Sequence, residues 1–121
     1  MAEWQYVAWA QAGYFVLTGV WPIVHVRSFM AVTGPKRDVW LVRTLGALIS
    51  AVGASITTGA LRGGANPSPE LLTLAIGSAA ALGAADVVYV ARGTIARIYL
   101  ADAVAEAVLI GAWVWAAWAG R

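Results

Sequence analysis

Long apolar stretches separated by short polar breaks make up most of the chain. The apolar stretches cover about residues 4–26, 39–61, 71–91 and 98–118. Each is near the ~20 residues a helix needs to cross the hydrocarbon core of a bilayer. The breaks hold helix-stopping residues. "RSFMAVTGPKRD" contains Gly34-Pro35 and a charge cluster, "RGGANPSPE" is dense in Gly, Pro and Ser, and "RGTIAR" is a short basic turn. Connections this short make consecutive helices antiparallel neighbours. The pattern predicts an all-α polytopic membrane protein, a single domain of four transmembrane helices in an antiparallel bundle over residues 1–121.

Inside each stretch the polar positions recur at steps of three and four, which keeps them on one helix face. The first stretch aligns Gln11, Tyr14, Thr18, Trp21 and His25, and the second Arg43, Gly46, Ser50, Gly53 and Thr57. The third ends in Asp86 and Tyr89, and the fourth carries Tyr99, Asp102 and Glu106. Polar groups are costly in hydrocarbon, so these faces are expected to turn inward or to line a wet cavity. For Ser, Thr, Gln and Tyr, ordinary interhelical hydrogen bonding is explanation enough. Small residues also recur every four positions, as Ala47, Ala51, Ser55 and Gly59 and as Gly77, Ala81 and Ala85. Such faces let helix backbones approach closely in lipid, within one chain or between two, and predict a homodimer.

Composition agrees with this reading. The chain is 61% hydrophobic and 12% charged, with mean hydropathy +0.75. A soluble domain is about 45–50% apolar and about 25% charged. Glu3 stands where a cleavable signal would be basic, and the apolar stretch runs long, so the first segment is expected to stay as a span. No lipidation motif is present. The absence of Cys excludes disulfides, thiolate metal sites and Cys nucleophiles. No basic run points to nucleic acid, and no phosphate loop, dinucleotide fingerprint or nucleophile elbow implies a cofactor.

Charge sets an expected orientation. Loops 27–38 and 92–97 hold Arg27, Lys36, Arg37, Arg92 and Arg97, whereas the other loop and the tails hold Arg62 and Arg121. The positive-inside rule places loops 27–38 and 92–97 in the cytoplasm and both termini outside, in the inner (plasma) membrane. Trp4, Trp9, Trp113, Trp115 and Trp118 then group at the outer ends, with Trp21 and Trp40 nearer the inner face. This resembles interfacial belts, although plain lipid packing is the stronger explanation for the Trp set.

The ionisable residues carry the candidate chemistry. At ~1.5 Å per residue, Asp86, Asp102, Arg43 and His25 fall within about two turns of the cytoplasmic boundary, and Glu106 lies about 12 Å deep. An Asp at a helix centre costs about 2.5–3.5 kcal/mol on insertion scales. Arg43 is the expected counter-ion, with Arg27, Arg92 and Arg97 able to snorkel beside the same layer. One outcome is a purely structural ion-pair network. The other is a working site, because intramembrane ionisable residues mark proton and ion pathways. Asp102-x-x-x-Glu106 resembles half a carboxylate metal site, but the Glu-x-x-His pairs of a di-iron bundle are absent. His25 is either a candidate proton exchanger or an interfacial, hydrogen-bonded His.

At the level of architecture the chain resembles compact four-helix membrane families. It is similar in length to the small multidrug exporters, which dimerise but place their essential Glu in the first helix, where this chain has only Glu3. The set His25, Asp86, Asp102, Glu106 and several Trp resembles sterol-isomerase and sigma-2 type families, which surround an apolar ligand with acids and a His. These resemblances are analogies of architecture, not of motif.

The leading expectation is a small proton- or cation-coupled transporter or channel-like protein. Glu106 and Asp102 bind the proton or cation, Arg43 gates, and Asp86, His25 and Tyr99 complete the site. A polar path continues outward through Thr18, Tyr14, Gln11, Ser50 and Thr57. The alternatives are a binding or isomerase-like enzymatic pocket for a lipophilic molecule, and an accessory subunit of a larger membrane complex.

Overall fold

The computed structural model describes residues 1–119, so Arg121 lies outside the described residues. The described chain is all helical: α1 (Glu3–Val24), α2 (Val26–Thr33), α3 (Val39–Arg62), α4 (Pro69–Ala91) and α5 (Tyr99–Ala119). Four of them, α1, α3, α4 and α5, are long and apolar enough to cross a membrane. They match the four expected stretches to within two residues at each end.

Local chemistry explains the boundaries. Ser68 caps α4 by accepting from the Leu71 backbone N–H at 3.1 Å, with Pro69 at the first helical position and Glu70 in the first turn. Gly63, at φ +69°, ends α3 in a backbone conformation that side chains other than Gly resist. Pro22 lies inside α1, where it has no backbone N–H to donate, and the helix stops at Val24.

Part of the expected loop 27–38 is helical, which corrects the sequence reading. His25 leaves the helical conformation at φ −146° and ψ 78°, and its Nδ1 accepts from the Ser28 backbone N–H at 3.2 Å to start α2. The Trp21 indole donates to Ser28 Oγ at 2.8 Å and meets the Phe29 ring edge-on at 5.3 Å. Those contacts hold α2 against the end of α1.

The tightest packing joins α1 to α3. A Cβ on Gly19 would lie 2.6 Å from the Gly46 carbonyl oxygen, and a Cβ on Gly53 would lie 3.2 Å from the Ala12 carbonyl. Farther along, the Gln5 amide donates to the Ala60 carbonyl at 3.0 Å. The face of α3 that makes this approach is Gly46, Gly53, Ile56 and Ala60. Ala47, Ala51 and Ser55, the face expected to pack, are exposed. On α4, Gly77 and Ala81 are exposed as well.

The core fills one half of the molecule. Trp4, Val7, Ala8 and Ala12 of α1 meet Ile56 and Ala60 of α3, Leu71 and Ala75 of α4, and Trp113 and Ala116 of α5. Trp4 and Trp113 are therefore core residues and not part of a lipid-facing belt. Trp9, Trp40, Trp115 and Trp118 are exposed. Gln11, fully buried, ties three helices: its amide donates to the Ala75 carbonyl at 2.9 Å, and its oxygen accepts from the Trp113 indole at 2.6 Å.

Candidate functional site

The half of the molecule nearer α2 holds a cavity of about 280 Å³. Its walls are mainly carbon. Phe15 and Pro22 come from α1, Phe29 from α2, Val42, Leu45 and Ile49 from α3, and Leu82 and Ala85 from α4. Three carboxyl groups reach the same space, Asp86 from α4 and Asp102 and Glu106 from α5. Spacing on α5 explains the last two, since residues four apart stack on one helix face.

Glu106 needs room, and α4 provides it at Gly83. A Cβ there would lie 3.3 Å from the Glu106 Cβ. Glu106 is 1% exposed and Asp86 is 6% exposed. Asp102 lies within interaction range of both. The Tyr14 hydroxyl of α1 donates to Asp102 Oδ1. Buried oxygens Asp86 Oδ2 and Glu106 Oε1 have no hydrogen-bond partner. Such orphans are rare, because leaving a buried polar group unpaired costs about 1–3 kcal/mol and more when it is charged.

The cation expected beside these acids is elsewhere. Arg43 is exposed and is not part of the cavity wall. It sits three residues before Gly46, where α3 approaches the end of α1. Asp86 and Glu106 are buried next to Asp102, and among the described residues no Arg or Lys lies close enough to act on either. Arg27, Arg92 and Arg97 are also exposed, and Arg92 lies over the Tyr89 ring at 6.0 Å.

His25 does not join the acids either. It is exposed and serves as the cap between α1 and α2, with Nδ1 at 2.8 Å from Ser28 Oγ. Tyr99 does line the cavity, at the first residue of α5. The cation at the cavity is Lys36, which the sequence reading assigned only to topology. Its Nζ donates to the Thr33 and Gly34 carbonyls at 3.0 and 2.9 Å and lies 5.2 Å from the Tyr99 ring centre. The sequence places Lys36 three residues after Thr33, the last residue of α2, within reach of the carbonyls it meets there.

The expected polar path outward is interrupted. Thr18 lines the cavity, but its hydroxyl donates to the Tyr14 carbonyl at 2.8 Å. Ser50 and Thr57 likewise donate to carbonyls of their own helix, at 2.8 Å to Gly46 and 3.0 Å to Gly53. Gln11 is engaged between Ala75 and Trp113 in the packed core. The cavity thus has carboxyls at its inner end and a dry core beyond them. The three acids do not form a metal-ligand set among the described residues.

No protein-family model, no curated protein and no solved structure matches the chain.

Proposed function

We propose that this chain is a multi-pass membrane protein whose four long helices form an antiparallel bundle, and whose carboxyl cluster takes up and releases a proton or small cation in coupled transport. The observation that carries the reading is the pair of buried, unpartnered oxygens on Asp86 and Glu106 beside an apolar cavity. Removing a charge from water costs several kcal/mol unless it is neutralised, and no Arg or Lys acts on these two groups. A proton or a bound cation supplies that neutralisation. A permanent ion-pair network, the structural alternative, lacks its cationic half.

Helix pairing supports the bundle. Gln5 meets Ala60, Ala12 meets Gly53 and Gly19 meets Gly46, so numbers rise on α1 as they fall on α3. Membrane insertion is supported by outward-facing Leu17, Val24, Leu48, Val104 and Val108, since soluble proteins rarely present such continuous apolar surface. The excess of Lys and Arg in loops 27–38 and 92–97 favours a cytoplasmic cavity mouth and external termini in the inner membrane. The exposed small residues Ala47, Ala51, Ser55, Gly77 and Ala81 offer a homodimer a close-packing face. Single-Cys labelling from outside is expected to reach a Cys placed at Asn66 and to miss one at Thr94. The mass of the detergent-extracted particle is expected to be that of two chains. Labelling of both positions from outside, or a single-chain mass, contradicts those two parts.

A second reading, a ligand-binding pocket without transport, is favoured by the packed core around Gln11 and Trp113, which closes the far side of the cavity. Transport requires that core to open in another state.

The site is tested by the thermal melt of Glu106→Gln beside the parent between about pH 5 and pH 9, where a titrating group changes stability. The groups facing Glu106 are Asp86 and Tyr89 on α4, Asp102 and Tyr99 on α5, Tyr14 on α1 and Lys36 before α3, while α3 presents only apolar residues. The reading predicts a pH-dependent parent and a folded, flatter variant. A variant that loses its fold at every pH makes Glu106 a structural strut.

A further inference from the structure

The cavity joins two features seldom found together, a carbon-lined wall and carboxyl oxygens that lack donors. Three donors near it are engaged elsewhere: the Tyr14 hydroxyl goes to Asp102, the Thr18 hydroxyl to the Tyr14 carbonyl, and the Lys36 ammonium gives two of its N–H groups to the carbonyls of Thr33 and Gly34. Tyr89 and Tyr99 also line the cavity, and neither hydroxyl bonds to Asp86 Oδ2 or Glu106 Oε1. A ligand suited to both features brings N–H groups and a positive charge for the carboxyls and an apolar body for the wall.

We infer that the cavity binds a small lipophilic primary amine, its ammonium against Asp86 and Glu106 and its hydrocarbon part against Phe29, Leu45, Ile49 and Leu82. This rests on the reading of the carboxyl cluster as a cation-binding site and names the class of cation. A primary ammonium carries three N–H donors, enough for more than one of the carboxyl groups that line the cavity. A quaternary ammonium carries the charge but no donor. A bare metal ion requires a shell of several oxygens or nitrogens, and the wall offers mostly carbon. Volume limits the body: about 280 Å³ lies just below the ~300–1,000 Å³ usual for ligand pockets, too small for a two-chain lipid.

The test compares three compounds with one apolar body, phenylbutylamine, phenylbutanol and phenylbutyltrimethylammonium, competing for tritiated phenylbutylamine on the full chain in lipid nanodiscs. The amine is expected to compete at least about tenfold better than the other two, because hydrogen bonds to charged groups discriminate by that order. Glu106→Gln and Asp86→Asn are each expected to weaken amine binding about tenfold or more. Leu82→Trp fills the cavity from the apolar side and keeps every carboxyl, so it is expected to abolish amine binding while the pH response of the melt persists. Equal competition by the alcohol overturns the inference, as does undiminished binding in a folded Leu82→Trp. If the parent binds no amine but its melt still responds to pH through Glu106, the amine is wrong and the proton reading stands. If neither response is present, both fall.

Discussion

Gln11 and Glu106 are both buried polar side chains, and they differ in what their atoms meet. Gln11 uses its amide on Ala75 and its oxygen on Trp113, so burial costs it little. Glu106 keeps an oxygen with no partner. The first is a tie between helices, and the second is the group on which the proposed proton or cation site rests. Gln11→Leu strands the Trp113 indole N–H in the core. It is expected to lower stability by about 1–3 kcal/mol, read as a lower melting temperature, with any amine binding intact. A melt unchanged by Gln11→Leu contradicts the assigned role. At this scale the sequence pointed well to the acids, because their four-residue spacing and similar depth are visible in one dimension. It misplaced Arg43, because a helix face is shared only as far as the neighbouring helix extends, and of its two readings of His25 the structure has the hydrogen-bonded residue at a helix end. Past Gly46, α3 approaches the end of α1, and His25 marks the end itself.

At the scale of elements, the α1–α3 crossing depends on missing side chains. A Cβ on Gly46 would collide with the backbone oxygen of Gly19, whereas one on Gly77 would meet nothing within 4 Å. Gly46→Ala is expected to destabilise by about 1–3 kcal/mol through overpacking. Gly77→Ala in a single chain is expected to be neutral or slightly stabilising, since Ala favours helix. Thermal melts of the two variants in one detergent check the contrast, and equal melts count against the crossing. The four long helices were legible from length and breaks alone. The short α2 was not, because charge and Gly-Pro in "RSFMAVTGPKRD" read as loop. Pro22 followed by His25 and Ser28 was the available sign of a helix stop and a new cap. Of the two faces marked on α3, the one with Gly46 and Gly53 packs against α1, and the small-residue face Ala47, Ala51 and Ser55 stays exposed in the single chain.

At the scale of the molecule, the two halves divide the work. A dry core around Trp113, Ile56 and Ala75 closes one half, and a cavity with three carboxyls occupies the other. A continuous polar path is absent because its expected members turn back on their own helices, as Ser50 does to Gly46. Periodicity places a hydroxyl on a face, but it does not reveal whether the bond is made within the helix or across it. Whether the buried acids carry protons is then the central question for the proposed proton or cation site. Infrared difference spectroscopy of the parent and Glu106→Gln in lipid, stepped between about pH 5 and pH 9, reads carboxyl protonation directly. The account predicts a carboxyl C=O band that changes with pH in the parent and is missing from Glu106→Gln. An unchanging carboxyl region in the parent, or one identical in the two proteins, contradicts it.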